Sequence, residues 1–171
     1  MSSSQIRSSS EDTRPSATHL ELVRIIERMH RRYLDQLRLE LNGIGADDIS
    51  PAQVMLLFTI GNYELSVRDL LDRGHYLGSN ASYNLKQLVQ AGYIDRTASQ
   101  RDRRSARIRL TEKGRQLCLA VESADAAYQR TIVRTENEQK ALENTIDTLR
   151  RLEVAWATNL HRGELAKLDL L

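Results

Sequence analysis

Between Gly43 and Gly92 the chain is punctuated so closely by caps and glycines that no long helix and no long strand fits. Ser50-Pro51-Ala52-Gln53 is a capping box with proline at the first helical position, and it opens a helix whose face includes Val54, Leu57 and Phe58. Gly61-Asn62 closes that helix. Ser66, with Asp69 beyond it, repeats the start signal for a very short helix carrying Val67, Leu70 and Leu71 as far as Arg73-Gly74. A further helix follows Gly78, with Ser79 as its cap, Ala81, Leu85 and Leu88 on one face, and Gly92 as its end. Three short helices in succession are what this spacing predicts.

Beyond Gly92 the period changes. Tyr93-Ile94-Asp95-Arg96, a polar stretch, and Ala106-Arg107-Ile108-Arg109-Leu110 put Ile108 and Leu110 on one side and Arg107 and Arg109 on the other, the pattern of a β-hairpin. Thr111 then caps a helix with Glu112 in its first turn, running through Leu117, Val121, Ala124 and Tyr128. A last helix is marked by Leu142, Ile146, Leu149, Trp156 and Leu160. At the other end, Leu22, Ile26, Met29, Tyr33, Leu37 and Leu41 recur at helical spacing up to Asn42-Gly43. Residues 1–18, serine-rich and nearly without large apolar groups, are expected to form a flexible arm. No sequence repeat of solenoid length is present.

Composition bounds the function classes. The chain has 171 residues and a formal charge of +2, enough length for about one domain. Its one cysteine, Cys118, supports neither an internal disulfide nor a multi-thiolate metal site, and lying between Leu117 and Leu119 it reads as packing. His19, His30, His75 and His161 are too scattered for a metal site, so neither metal nor cofactor is expected. The most apolar stretch, Val54 to Ile60, is far below the roughly 20 residues of a membrane span, and no apolar segment follows a basic start, so a cytoplasmic protein with no membrane partner is expected. No glycine-rich phosphate loop, nucleophile elbow or Cys/His pair at motif spacing points to an enzyme.

Charge distribution says more than the total. Tyr93 to Arg115 holds eight basic and three acidic residues, a local excess of +5 that leaves the remainder at −3. Two short helices and a tight turn followed by a basic hairpin form the order of a winged helix-turn-helix, in which the second helix fits the major groove and the wing reaches the neighbouring backbone or minor groove. A solvated charged loop is the plainer alternative. The fold class expected is mainly α with a small β-hairpin wing, the helix-turn-helix core at about 50–111 being flanked by long helices at about 19–42 and 112–160 within a single domain, 19–171.

The sequence here resembles the MarR family of bacterial transcriptional regulators. The resemblance is carried by Leu88 and Gly92-Tyr93-Ile94 leading to Arg96, by Asp102-Arg103-Arg104, and by Leu110-Thr111-Glu112-Lys113-Gly114-Arg115. It implies a homodimer whose terminal helices intertwine, presenting two winged motifs to a pseudo-palindromic duplex DNA operator. It also implies a small aromatic or amphipathic effector bound between the dimerisation helices and the winged region, for which Tyr33, Leu37, Met55 and Phe58 are the lining residues expected. The Tyr76-Leu77-Gly78-Ser79-Asn80 segment further resembles an alphaproteobacterial subgroup linked to cell-envelope and osmotic-stress genes, including those for L,D-transpeptidases.

For DNA contact the residues expected are Ser79, Asn80, Ser82, Tyr83, Asn84 and Lys86 on the presumed recognition helix, with Arg101, Arg103 and Arg104 in the wing. Asn pairs bidentately with adenine and Lys reaches guanine, while a helix start offers N–H donors to phosphate. Asp102 is expected to pair with Arg104 and set the tip, leaving Arg103 or Arg101 for a narrow minor groove. The apolar stripes of the terminal helices are expected to meet a second copy of the chain; an intramolecular bundle, or a coiled-coil interaction protein without DNA binding, is the alternative.

Overall fold

The computed structural model of the protein describes residues 15–76, 78–98 and 106–168. Its elements run α1 (Pro15–Gly43), α2 (Pro51–Ile60), β1 (Leu65–Ser66), α3 (Val67–Gly74), α4 (Gly78–Gln90), β2 (Ile94–Ala98), β3 (Ala106–Leu110), α5 (Glu112–Ile132) and α6 (Glu136–Leu168). The chain divides into two compact units, one closing at Val121 and the other opening at Glu122. Among the described residues no helix is long and apolar enough to cross a membrane.

In the first unit α2 is the central rod. Its capping box forms as the sequence predicts: Ser50 Oγ accepts the Gln53 N–H and Gln53 Oε1 accepts the Ser50 N–H at 2.8 Å. The single apolar face expected of it does not describe it, because α1, α3, α4 and β3 all pack on it. Pro51, Gln53, Val54, Leu56, Leu57 and Ile60 are buried and Phe58 is half-buried. Leu37 and Leu41 from the last turns of α1, Leu70 of α3, Leu85 and Leu88 of α4, and Ile94, Ile108 and Leu110 of the strands complete the core around it.

The turn into α4 differs in detail from the sequence reading. α3 ends at Gly74, as the Arg73-Gly74 signal predicts, and His75 just beyond it takes the left-handed conformation (φ 50°), its N–H donating to the Leu71 carbonyl. Gly74 is required for space: a Cβ there would run into the Tyr76 ring, which is held by a hydroxyl 2.9 Å from Thr59 Oγ1. α4 starts at Gly78, so Ser79 sits in its first turn and is not its cap.

The hairpin is part of a three-stranded antiparallel sheet of order β1-β3-β2. β1, whose two residues are too short to show a period, pairs Leu65 with Ile108 and Ser66 with Arg107. The β2–β3 register sets Ile94 opposite Leu110, Asp95 opposite Arg109 and Arg96 opposite Ile108.

At the base of the wing, Thr111 N–H donates to the Tyr93 carbonyl at 3.0 Å, while its hydroxyl donates to the Gly92 carbonyl at 2.7 Å and accepts the Gly114 N–H at 3.1 Å. The buried Tyr93 ring lies under the Lys113 ammonium, 4.0 Å from its centroid. Asp48, in the α1–α2 loop, accepts from both: Tyr93 Oη at 2.6 Å and Lys113 Nζ at 2.8 Å. Lys113 also donates to the Ala91 carbonyl at 3.0 Å, at the end of α4. The Lys113 and then the Tyr93 hydrogen bonds hold the Asp48 carboxyl below its ordinary range, burial first and then the bond to Asp48 push the Tyr93 phenol up, and Asp48 holds Lys113 up.

In the second unit, a capping box at Thr135 starts α6: Glu138 N–H donates to Thr135 Oγ1, and the Glu138 carboxylate accepts the Thr135 N–H at 2.9 Å. Leu142, Ile146, Leu149, Val154 and Trp156 are exposed along α6, as are Tyr128 and Ile132 on α5.

Two outcomes follow for stability. Gly114→Ala places a Cβ against the Tyr93 carbonyl, a backbone atom that cannot turn aside, and should cost about 3 kcal/mol in urea unfolding. Asp48→Asn should cost about 1 kcal/mol or less at neutral pH, since the pair is half-exposed. Because folding lowers the Asp48 pKa, its contribution is fully present above the ordinary value of 3.8 and is lost as pH falls through the folded value, so the melting temperatures of variant and wild type should converge in acid.

Candidate nucleic-acid interface

α4 is built with two opposed faces. Ala81, Leu85 and Leu88 fall on one line of the helix and are buried against α2 and the sheet. Ser79, Tyr83, Lys86 and Gln90 lie directly opposite and are exposed, Tyr83 to 64%. Asn80 and Ser82 flank this face and are also exposed, whereas Asn84 turns toward the core side and is half-buried. Of the six helix residues expected to touch DNA, five therefore lie on the exposed side of α4.

The polar flank of α4 is anchored from beneath. Gln53, buried to 7% exposure, donates through Nε2 to Gln87 Oε1 at 2.7 Å, and Gln87 Nε2 donates to Tyr83 Oη at 2.9 Å. A face that would otherwise carry several freely rotating side chains is thereby ordered along one edge. In the sequence Gln53 is legible only as half of a capping box; its second role depends on the approach of α2 to α4, which no local pattern shows.

On the other flank a cavity of about 180 Å³ separates α4 from the sheet, lined among others by Ser82, Lys86 and Gln90 of α4 and by Arg96 of β2. Two cations thus face each other across it. Arg96 belongs to this groove because the register pairs it with Ile108, on the core-facing side of the sheet, near the point where that side emerges from the core. Arg107 and Arg109 lie on the opposite side: Arg109 contacts Asp95 at 3.5 Å and Arg107 reaches the Glu64 carbonyl at 3.4 Å. Lys113 is committed to Asp48, and Arg115 to Glu112 at 2.8 Å and the Leu110 carbonyl at 2.9 Å. Among the described residues, the basic segment that reads as one patch in the sequence is divided by the fold into scaffold cations and a groove cation. Arg101, Arg103 and Arg104, expected at the wing tip, lie outside the described residues.

The four residues expected to line an effector cleft are placed as follows. Leu37 is fully buried, Met55 and Phe58 are half-buried against the core, and Tyr33 is exposed on α1. Cys118 is buried on α5 beside Leu117.

Comparison with known proteins agrees with this geometry. A sequence profile of the MarR family matches residues 47–105, the segment from the α1–α2 loop into the wing. The exopolysaccharide II synthesis transcriptional activator ExpG of Rhizobium meliloti (strain 1021) is 53% identical over 146 residues, covering 85% of this chain and 75% of that protein. Among solved structures, Streptococcus pneumoniae FabT in complex with DNA superposes with a TM-score of 0.68 at 20% identity, covering 78% of this chain and 96% of that one. A mutant MarR from E. coli complexed with operator DNA gives 0.63 at 20% identity, covering 77% and 95%.

Arg96→Ala should weaken binding to specific and unrelated duplexes alike and make the log–log salt slope shallower by about 1, as loss of one phosphate contact does. Fluorescence anisotropy across a salt series checks this; an unchanged slope places Arg96 off the backbone.

Proposed function

The chain belongs to the MarR family of winged-helix transcriptional regulators, and we propose that it acts as a homodimer reading a pseudo-palindromic operator, with α4 in the major groove and the wing on the adjacent backbone. The observation that carries this reading is the exposed polar face of α4, Ser79, Tyr83, Lys86 and Gln90 opposite a buried apolar line, with Arg96 across the groove from Lys86. A helix in a major groove must be polar on its outer face and rigid beneath it, and a cation beside it neutralises phosphate. Asn80, Ser82 and Asn84 extend the helix contact, and Arg103 or Arg101 supplies the wing cation for a narrow minor groove, with Arg104 paired to Asp102 to set the tip. The helical interaction protein without DNA binding is set aside by the family assignment.

Dimerisation is supported by the apolar side chains left exposed in one copy: Leu20, Met29 and Tyr33 on α1, Leu119 and Ile132 on α5, and Trp156 on α6. Large apolar side chains exposed along helices are what a second copy of the chain would cover. An effector of aromatic or amphipathic character is assigned to the neighbourhood of Tyr33, Met55 and Phe58, with Leu37 as its apolar floor. The relationship to ExpG supports a cytoplasmic regulator, acting on genes for surface polysaccharide synthesis and thus within the cell-envelope class, with activation as its mode.

Light scattering coupled to size exclusion should give twice the mass of 19.5 kDa at micromolar concentration; a monomer there removes the two-fold operator. In gel shifts against the DNA upstream of its own gene, wild type should bind and Arg104→Ala should bind more weakly by about tenfold or more, because the wing tip loses its positioning and with it a groove contact.

A further inference from the structure

The hydrogen bonds linking α2 to α4 have a direction, and that direction is set at one end. Ser50 N–H is a backbone group that can only donate, and it donates to Gln53 at 2.8 Å, so the Gln53 atom facing it is Oε1. Gln53 must therefore turn Nε2, which can only donate, toward Gln87. The Gln87 atom 2.7 Å away is then Oε1, and its Nε2 is the group that meets Tyr83 Oη at 2.9 Å. Tyr83 accepts, and its one hydroxyl hydrogen is left for something outside the chain of bonds. The ring carrying it is 64% exposed at the centre of the outer face of α4.

We propose that Gln53 and Gln87 are positioning residues that make Tyr83 a hydrogen-bond donor toward DNA, so that this position selects an acceptor: guanine O6 or N7, thymine O4, or a phosphate oxygen. The proposal rests on the DNA-binding reading above and adds a buried residue, one helix away from the interface, that decides the polarity of a contact on it. Gln53 is the only buried polar residue in the core of the described chain, and each of its amide atoms has a partner. The burial of Gln53 makes its two bonds, to Ser50 and to Gln87, costly to break, which fixes the direction in which Gln87 meets Tyr83 at the surface.

The decisive substitution is Gln53→Glu. A Ser-x-x-Glu sequence keeps the capping box, and a carboxylate suits a helix N-terminus, so folding is preserved. A carboxylate has no donor, however. One oxygen takes the Ser50 N–H and the other takes Gln87 Nε2, so Gln87 turns over, presents Oε1 to Tyr83, and draws the hydroxyl hydrogen away from the DNA. The probes are the strongest-binding duplex selected from a random-sequence pool with the wild-type protein, and an unrelated duplex of equal length.

Gln53→Glu and Tyr83→Phe should each weaken binding about tenfold, the worth of one good hydrogen bond, and the double variant should be no weaker than either. Gln53→Met, which removes the donor without adding charge, should also lose affinity, while the melting temperature of Gln53→Glu stays at that of wild type. A Tyr83→Phe loss confined to the selected duplex assigns the acceptor to a base edge; an equal loss on both duplexes assigns it to phosphate. Additive losses in the double variant, wild-type affinity in Gln53→Met, or wild-type affinity in Gln53→Glu each overturn the proposal. Failure of the DNA-binding reading has a separate signature, a wild-type protein that retains no duplex at low salt.

Discussion

The junction at the base of the wing is the contact on which the arrangement of the interface depends. Gly92 and Tyr93 leave α4 and enter β2, Thr111 to Gly114 leave β3 and enter α5, and the two segments are joined by two hydrogen bonds from Thr111, whose hydroxyl also accepts the Gly114 N–H. Gly114 allows this approach because any larger residue would strike the Tyr93 carbonyl. Asp48 then ties the same point to the α1–α2 loop through Tyr93 and Lys113. Three separated stretches of chain are fixed at one place, and the angle between α4 and the sheet follows from it. Of the residues that carry the family resemblance, Gly92-Tyr93-Ile94 and Leu110-Thr111-Glu112-Lys113-Gly114-Arg115 largely make up this junction, so that part of the motif is structural before it is functional.

Sheet register then sorts the positive charge. Strand alternation sends neighbouring residues to opposite faces, and pairing decides which face is which. Arg96, opposite Ile108, is directed to the groove beside α4, while Arg107 and Arg109 go to the other side, where Glu64 and Asp95 receive them. Lys113 and Arg115 serve the wing base. A local excess of +5 is therefore an upper bound on what a phosphate backbone can meet, and a count along the sequence overstates the interface.

α2 links the two themes. Its amino-terminal cap is a local device, legible in four residues, yet the same Gln53 side chain extends beyond the cap to order the edge of α4. Most of α2 is covered by its neighbours, and the one polar side chain it buries is bonded at both ends of its amide. The interface is rigid from below because the core and its cap are continuous.

Caps, glycines and period were enough to place every helix and the two long strands, because these signals act within a few residues and need no partner. Ser50 with Gln53, Ser66 with Asp69, and Thr111 ahead of Gly114 all form the local bonds their spacing implies. The opposed faces of α4 were legible for the same reason. Three things were not: the two-residue β1, the left-handed turn at His75 with Gly74 kept small for the Tyr76 ring, and the roles of Arg96 and Gln53. Each is settled by what comes close from a distant part of the chain, Ile108 across the sheet, Thr59 beneath the turn, Gln87 across the helix pair. The sequence by itself determined the order of elements and the polar face of the second short helix, since both are short-range consequences of residue type. Only the tertiary structure decided which cations face the groove and which way the Tyr83 hydroxyl points, because register and hydrogen-bond direction are properties of pairs that the chain brings together by folding.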